Sequence, residues 1–358
     1  MYASVRKLII IGIALAVMVL VISLLSCQRD ADEKIQLRVI CAGSLIVPFK
    51  AIETAYEELN PHVDVLTQGH GSIQVIRRVT ELGHEADIVA VADHSLIPPM
   101  MYDVQISGSD DSYASWYVRF ASNTLGLAYT PGSKYADEIN AANWYEILSR
   151  PDVRLGMSDP RFDACGYRAM MACWLAELLY DDGDIFENVL GSFEYPITFQ
   201  LDNRRCTILV PEVVRPHDIS IRGSSIVLLG ILASGDIDYA FEYKSVARQH
   251  DLHFLEFPPE INLGSDDFER LGYDLRVKLD YQRFASVIPE FTCQMIYYGV
   301  TIPENSPQYE EAVRYLEFML GPDGAQIFAD LYQPYMSLVA DNHDRIPEEL
   351  QLMVSPWE

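Results

Sequence analysis

The chain has 358 residues, of which 49% are hydrophobic and 22% are charged, and its formal net charge is -26 at pH 7. This length exceeds that of a typical single domain and predicts a globular protein of two lobes. The acidic balance argues against a nucleic-acid partner, because Lys and Arg supply most of the affinity for phosphate backbones. An anionic small ligand would have to be held by local dipoles, against the overall field of the protein.

The first residues have the marks of an export signal. Arg6 and Lys7 precede an uncharged apolar run over residues 8–25, which passes into Ser26 and Cys27 before polar sequence begins. We predict a signal segment over residues 1–27 with Cys27 as the lipidated first residue, followed by a polar tether over 28–36. An uncleaved membrane anchor is the alternative, because a run of this length is near the minimum for a membrane span. Both versions predict an extracytoplasmic protein anchored to the cell membrane.

The hydrophobic pattern predicts alternating strands and helices. Two strands end in a Gly-Ser pair that opens a helix, first at Gly43-Ser44 and again at Gly71-Ser72. In chain order we predict strands at 37–42, 63–66, 87–93, 116–129, 153–157, 237–241, 252–257 and 294–302, and helices at 45–60, 73–82, 96–102, 143–148, 167–180, 226–233, 309–320 and 325–331. We expect residues 181–222 to be irregular, with short strands near 199 and 208–210, and residues 258–295 to form loops.

This alternation, with one excursion of the chain out and back, predicts the α/β fold class, with two α/β lobes joined by crossover strands. We expect residues 37–119 and 296–358 to form lobe 1 and residues 120–295 to form lobe 2. Ligands of open α/β sheets lie at the carboxyl ends of the strands. The sequence therefore predicts a ligand site in the cleft between the lobes.

Small polar residues mark four helix starts, two in each predicted lobe. They are Ser44, Ser72, the segment 163–165, and Ser224-Ser225. Each helix N-terminus favours a negative charge by about 0.3–1 kcal/mol, and each hydrogen bond to a charged partner adds about 1.5–3 kcal/mol. Such a cleft would bind a small oxyanion without any Lys or Arg. The alternative is that the serines only cap their helices, since capping uses the same geometry.

Other functional classes find little support in the sequence. It has no Gly-x-Ser-x-Gly elbow and no glycine-rich P-loop or dinucleotide signature. The six cysteines include no Cys-x-x-Cys pair, which argues against a zinc site. An extracytoplasmic hydrolase that uses carboxylates stays open as an alternative in so acidic a chain, although no pair of acids stands out.

Several motifs together resemble the molybdate/tungstate-binding proteins of archaeal-type ABC uptake systems. The resemblance runs from about residue 37 to residue 340. It is carried by Cys41-Ala42-Gly43-Ser44-Leu45, by Asp163-Ala164-Cys165-Gly166-Tyr167-Arg168, and by Asp238-Tyr239-Ala240-Phe241-Glu242-Tyr243-Lys244-Ser245. Each motif is weak alone, but their combination is specific.

The resemblance implies a type II periplasmic-binding-protein fold that closes on its ligand, performs no chemistry and carries no cofactor. It implies molybdate or tungstate as the ligand, an ABC permease with its ATPase as partners, and a monomer. The implied oxyanion-binding residues are Gly43, Ser44 and Ser72 in lobe 1 and Asp163, Ala164, Cys165, Ser225 and Tyr243 in lobe 2.

One position departs from the family pattern. Relatives usually carry a glutamate where Ser225 stands, and some use it together with the aspartate, here Asp163, as direct ligands to the metal of the oxyanion. Octahedral coordination by two carboxylates is therefore in doubt, and tetrahedral binding stays open. Phosphate is the sharpest rival, because its proton could be donated to Asp163. Sulfate, and a sensor that signals to a partner, are further alternatives.

Overall fold

The structure is a computed structural model and describes residues 34–191, 193–279 and 289–357. Its helices are α1 Ile46–Leu59, α2 Ser72–Thr80, α3 Trp144–Leu148, α4 Ala164–Tyr180, α5 Ile185–Leu190, α6 Ser225–Ala233, α7 Lys244–Gln249, α8 Tyr309–Leu320, α9 Pro322–Asp330 and α10 Glu348–Gln351. Its strands are β1 Ile35–Ala42, β2 Val63–His70, β3 Ile88–Val91, β4 Val118–Ser122, β5 Leu125–Tyr129, β6 Leu155–Ser158, β7 Thr198–Asp202, β8 Arg205–Val210, β9 Ser220–Arg222, β10 Tyr239–Tyr243, β11 His253–Glu256, β12 Asp274–Leu279, β13 Glu290–Thr292, β14 Tyr297–Thr301, β15 Tyr335–Ala340 and β16 Ser355–Pro356.

The first sheet forms the centre of lobe 1. Its strand order is β16-β15-β4-β14-β3-β1-β2, and β1 pairs in parallel with both β2 and β3. The second half of β1 is buried on both faces, because helices cover the sheet on either side. The parallel strands β1, β2 and β3 therefore bring their carboxyl ends to one edge, where α1 and α2 begin.

Lobe 2 is built on two smaller sheets, ordered β11-β5-β10-β6-β9 and β13-β12-β8-β7. The second of these contradicts the prediction of loops over 258–295, since β12 and β13 lie there. In β12 buried residues alternate with less buried ones, and the buried ones are Leu275, Val277 and Leu279. Charged side chains between them hid this period of two in the sequence. In the region expected to be irregular, β7 and β8 confirm the short strands predicted near 199 and 208–210, whereas α5 and β9 were not predicted.

The chain passes between the lobes at two places. The single strand predicted over 116–129 is two strands, with β4 in the first sheet and β5 in the second. Asn123 lies at this break, where its side-chain amide donates hydrogen bonds to Ser245 Oγ at 2.7 Å and to Tyr298 Oη at 3.0 Å. The return passage lies between β13 and β14. The predicted α/β class with two lobes is confirmed, whereas the exact lobe boundaries at 119/120 and 295/296 stay predictions.

The predicted signal segment over 1–27, with Cys27, lies outside the described residues. The same holds for most of the tether, and β1 begins at Ile35, within its last residues. Of the helices that the structure describes, none has the length and hydropathy needed to cross a membrane.

An aromatic cluster joins the helices of lobe 1 to its sheet. The Phe120 ring in β4 lies 6.5 Å from the Phe49 ring in α1 and 5.4 Å from the Phe328 ring in α9. It also lies 6.3 Å from the Tyr298 ring in β14, with the two rings edge to face. Because Phe120 has no solvent-exposed area, its packing holds together four elements of lobe 1.

Replacing this ring tests the described packing. Phe120→Ala should lower the free energy of unfolding by about 3–5 kcal/mol, because it removes a large buried side chain and leaves a cavity. Urea denaturation measures the change. Leu352→Ala is the control, since Leu352 is 97% exposed, and it should shift the value by no more than about 0.5 kcal/mol. Equal effects of the two substitutions would contradict the packing.

Candidate functional site

The starts of α2 and α6 bring the two lobes into direct contact. A methyl group placed on Gly71 would lie 2.5 Å from the Phe162 carbonyl oxygen and 2.8 Å from the Gly223 carbonyl oxygen. A methyl group on Gly43 would lie 2.8 Å from Ser224 Oγ. Both glycines belong to lobe 1 and their neighbours to lobe 2. The two lobes are thus closed on each other at the edge where the predicted site lies.

Asp163 lies at the centre of this contact. It precedes the first residue of α4, and its Oδ2 accepts the backbone N–H of Ser225 at 2.8 Å. Burial raises the pKa of the Asp163 carboxyl, while the Ser225 amide and the amides of Ser72 and Cys165 act in the opposite direction. One carboxyl group therefore faces the starts of α2, α4 and α6 together.

Two serines of lobe 1 have hydroxyl oxygens that already accept a hydrogen bond from the protein. Ser44 Oγ accepts from the Tyr298 hydroxyl at 3.0 Å, and Ser72 Oγ accepts from the Ala92 backbone N–H at 3.0 Å. Both serines are buried. Since the oxygen of each hydroxyl is bonded in this way, its hydrogen remains available for a ligand.

Tyr243 repeats this arrangement from lobe 2. Its hydroxyl oxygen accepts a hydrogen bond from Arg168 Nη1 at 2.8 Å, and its ring centroid lies 6.3 Å from that of Tyr298. No hydrogen bond among the described residues uses the hydroxyl hydrogens of Ser44, Ser72 or Tyr243. Three buried hydroxyl groups, two in lobe 1 and one in lobe 2, thus keep a hydrogen that each can donate, and an anion needs donors of this kind.

Ser225 has the opposite arrangement. Its hydroxyl donates to Glu242 Oε1 at 3.0 Å, so its hydrogen is already used within the protein. The same Oε1 accepts the Tyr243 backbone N–H at 2.8 Å. Ser225 and the Tyr243 amide therefore hold the Glu242 carboxyl in place.

Ala164 and Cys165 contribute backbone to this region. They are the first two residues of α4 and neither has any exposed area. The Cys165 thiol donates to the Phe241 carbonyl oxygen over 3.6 Å, and burial raises its pKa well above the usual range. Its sulfur is therefore a protonated packing group, and only its amide faces Asp163.

An ion pair links the lobes beside Tyr243. Arg168 Nη1 donates to the Ala92 carbonyl oxygen at 2.8 Å, and Nη2 lies 3.2 Å from Asp93 Oδ2. The Tyr167 hydroxyl donates to the same Oδ2 at 2.6 Å. Burial alone would raise the pKa of Asp93, but the Arg168 charge, the nearby His94 and the hydrogen bonds from Tyr167 and Ser95 together hold that pKa below its usual range. Two adjacent residues of α4 in lobe 2 thus bind the end of β3 in lobe 1.

Binding of an oxyanion without Lys or Arg stays a prediction, but an arginine lies beside the predicted site. Arg168 is only 1% exposed, and its guanidinium reaches Tyr243 within the predicted ligand shell. Its position at the start of the long apolar run of α4 was the available signal, because a buried charge needs a partner. Asp93 supplies that partner, so this pair adds no net charge to the site.

The residues predicted to bind the oxyanion lie together where the lobes meet. All of them are buried: Gly43, Ser44, Ser72, Asp163, Ala164, Cys165, Ser225 and Tyr243. Their contact with a ligand stays a prediction, and so does direct coordination of a metal by Asp163. Sequence reasoning missed the supporting residues Arg168, Asp93, Tyr298 and Glu242, which come from distant parts of the chain.

The family to which this chain belongs follows from its sequence. Residues 37–330 match the model of the bacterial extracellular solute-binding proteins, and the chain is a member of that family. A solute-binding protein of Staphylothermus marinus, itself uncharacterised, is 38% identical over 87% of each chain. The molybdate/tungstate-binding protein WtpA of Pyrococcus abyssi is 35% identical over 96% of this chain and 98% of its own. The resemblance stated from the sequence motifs is thus confirmed.

A solved structure supports the fold. The sulfate-binding protein SubI of Mycobacterium tuberculosis superimposes with a TM-score of 0.53 over 90% of this chain and 94% of its own, at 12% identity. This likeness concerns the two-lobe architecture. The protein is therefore an extracellular solute-binding protein of an ABC-type system, and proteins of this family bind solutes and are not enzymes.

Gly71→Ala tests the contact between the lobes. Gly71 has φ -61° and ψ 144°, which alanine adopts without strain, so the added methyl group acts through its clash with Phe162 and Gly223. We expect the lobes to stay apart and the radius of gyration in small-angle X-ray scattering to exceed that of the wild type. Gly183→Ala is the control, because no atom lies within 4 Å of its added methyl. A radius unchanged in both variants would contradict the closed arrangement.

Asp93→Asn tests the ion pair between the lobes. It leaves the buried Arg168 charge unpaired, and we expect the free energy of unfolding at pH 7 to fall by about 3–5 kcal/mol. Glu138→Gln is the matched control, since its pair with Arg150 is exposed and should contribute at most about 1 kcal/mol.

The effect of Asp93→Asn should also depend on pH. Because the pKa of Asp93 is lowered by folding, its stabilisation is present at neutral pH and disappears as the pH falls through the folded-state pKa. Denaturant titrations at decreasing pH should therefore show wild type and variant converging. A constant difference down to strongly acid pH would contradict this role of the Asp93 charge.

Proposed function

We propose that this protein captures molybdate or tungstate outside the cytoplasmic membrane and delivers it to an ABC permease and its ATPase. The observation that carries this proposal is the set of three buried hydroxyl groups, on Ser44, Ser72 and Tyr243, whose hydrogens are free for an acceptor. The Pyrococcus abyssi relative, named for molybdate and tungstate, supports this choice of oxyanion.

Hydroxyl donors and helix starts would both contribute to the binding of a dianion. Each hydroxyl donor contributes about 1.5–3 kcal/mol to a hydrogen bond with a charged partner. The starts of α2 and α6 add favourable dipole interactions of about 0.3–1 kcal/mol each. Because the donors come from both lobes, a bound anion would stabilise the closed arrangement over an open one.

The surroundings of Asp163 and Ser225 favour tetrahedral binding. Ser225 gives its hydroxyl hydrogen to Glu242 and offers no carboxylate to a metal. Asp163 already accepts a hydrogen bond from the Ser225 amide. We propose that the oxyanion keeps its four oxygen ligands and that Asp163, already bonded to the Ser225 amide, does not coordinate the metal.

We also propose that the protein acts as a monomer tethered through lipidated Cys27. Membership of the extracellular solute-binding family supports an extracytoplasmic location. The apolar segment before Cys27 and the absence of charge within it support the tether. A tether of this kind would keep the binding protein beside its permease.

Calorimetric titration with tungstate, molybdate, phosphate and sulfate tests the proposed ligand. We expect stoichiometric binding of tungstate and molybdate, with weaker binding of the other two. A preference for phosphate would show instead that Asp163 accepts a proton from the ligand. Turnover of a substrate without stoichiometric anion binding would favour an enzyme.

Ser44→Ala and Ser72→Ala should each weaken tungstate binding by about 1–3 kcal/mol, because each removes one donor to a charged ligand. The same titration measures both effects. Ser109→Ala is the control, since its hydroxyl lies on the surface and bonds to Asp111 at 2.7 Å. Unchanged affinity in both site variants would exclude lobe 1 from the proposed site.

A further inference from the structure

Glu242 is a buried acid that the proposed site does not yet use. It is the fourth residue of β10 and has no solvent-exposed area. Its Oε1 accepts two hydrogen bonds, from Ser225 Oγ and the Tyr243 amide. Its Oε2 has no hydrogen-bond partner among the residues that the structure describes. Such an oxygen would be costly to bury as an anion, so the neutral acid is favoured.

The surroundings of Glu242 place it among the predicted ligand residues. Burial raises the pKa of Tyr298, whose hydroxyl bonds to Ser44, and the charge of Glu242 raises it further. Burial raises the pKa of Cys165 in the same way, and Glu242 is the largest charged contributor to that rise. Its hydrogen bonds place the Glu242 carboxyl beside Ser225, the first residue of α6, and beside the backbone of Tyr243.

The groups facing Glu242 favour its protonated form. Burial raises the pKa of Glu242 to about 8, the Tyr243 amide and the Ser225 hydroxyl oppose this, and the Asp163 charge adds to it. The titratable and charged groups on the elements around it are Asp163, Cys165 and Arg168 on α4, Tyr243 on β10 and Tyr298 on β14. The Arg168 guanidinium is already bonded to Tyr243 and paired with Asp93.

We propose that Glu242 is a further ligand-binding residue that donates a hydrogen bond from Oε2–H to an oxygen of the bound oxyanion. This inference rests on the proposed function of the same site. The ligand must present an unprotonated oxygen to Glu242, which molybdate, tungstate and sulfate do on every side. Together with Ser44, Ser72 and Tyr243, Glu242 would give the site a fourth side-chain donor.

The proposal makes binding depend on a proton held by the protein. Once Glu242 loses its proton, Oε2 becomes an acceptor that repels the ligand. Affinity should then fall by about tenfold for each pH unit above the pKa of the group. Tungstate itself carries no proton in this range. Burial raises the pKa values of Cys165 and Tyr243 well above their usual range, so these groups keep their protons.

Calorimetric titration with tungstate between pH 6.5 and 9.5 tests the proposal on the wild type, Glu242→Gln and Glu242→Ala. Glutamine matches the protonated acid, because its oxygen can accept the two bonds now made to Oε1 and its amide donates at every pH. We expect constant wild-type affinity below pH 8 and progressive weakening above it. Glu242→Gln should stay within about threefold of the wild type at pH 7 and show no such weakening.

The alanine variant tests the donor itself, because alanine has no hydrogen-bonding group, whereas glutamine keeps a donor and removes only the titratable carboxyl. Glu242→Ala should bind tungstate at least about tenfold more weakly at pH 7. The inference is overturned if Glu242→Gln keeps the wild-type pH dependence, or if Glu242→Ala binds as tightly as the wild type. If the alanine variant does not fold, the glutamine variant decides alone. A wild type that binds no tungstate at any pH overturns the proposed function and this inference with it.

Unfolding provides a second measurement that needs no ligand. Because folding raises the pKa of Glu242, the wild type should lose stability as the pH rises from about 4.5 to about 8. Glu242→Gln carries no titratable group at this position and should lack that part of the loss. Parallel stability profiles of the two proteins would show that Glu242 is ionised throughout, which overturns the inference.

Discussion

The contact between the two lobes is the constraint on which the rest of the structure depends. The start of α2 in lobe 1 meets the segment before α4 in lobe 2 so closely that Gly71 has no room for a side chain. The backbone amides of Ile73 and Gln74, at the start of α2, donate to the Phe162 carbonyl oxygen across the boundary. Helix ends that would otherwise face solvent are thus satisfied by the opposite lobe.

The net negative charge of the protein is unfavourable for binding an anion. A protein with a net charge of -26 repels anions at long range. Arg168 has the one buried guanidinium in the described part of the chain, and it forms an ion pair with Asp93. It therefore holds the Tyr243 hydroxyl in place without adding net charge to the site. In the proposed site, attraction for an anion would come from hydroxyl groups whose oxygens are already fixed by hydrogen bonds within the protein. Buried dipoles of this kind interact more strongly than the same groups would in water.

Local sequence patterns predicted the parts of the fold that local physics determines. The Gly-Ser pairs at 43–44 and 71–72 marked the starts of helices on neighbouring parallel strands, and Ser72 and Ser225 are indeed first helical residues. The third sheet was missed, because Arg276 and Lys278 interrupt the apolar residues of β12, whose pairing with β8 is non-local. Propensity cannot reveal such pairings, since they depend on distant sequence.

The residues proposed to bind the ligand and the residues that hold them in place differ in the same way. Ser44 and Ser72 could be proposed from their place between a strand and a helix, whereas Tyr298 and Glu242 act through partners far away in the chain. A crystal structure of the protein soaked with tungstate tests the account most directly, because tungsten gives a strong anomalous signal. We predict one peak between the lobes, with oxyanion oxygens within hydrogen-bonding distance of the Ser44, Ser72 and Tyr243 hydroxyls. A peak elsewhere, or hydroxyls that contact only protein, would contradict it.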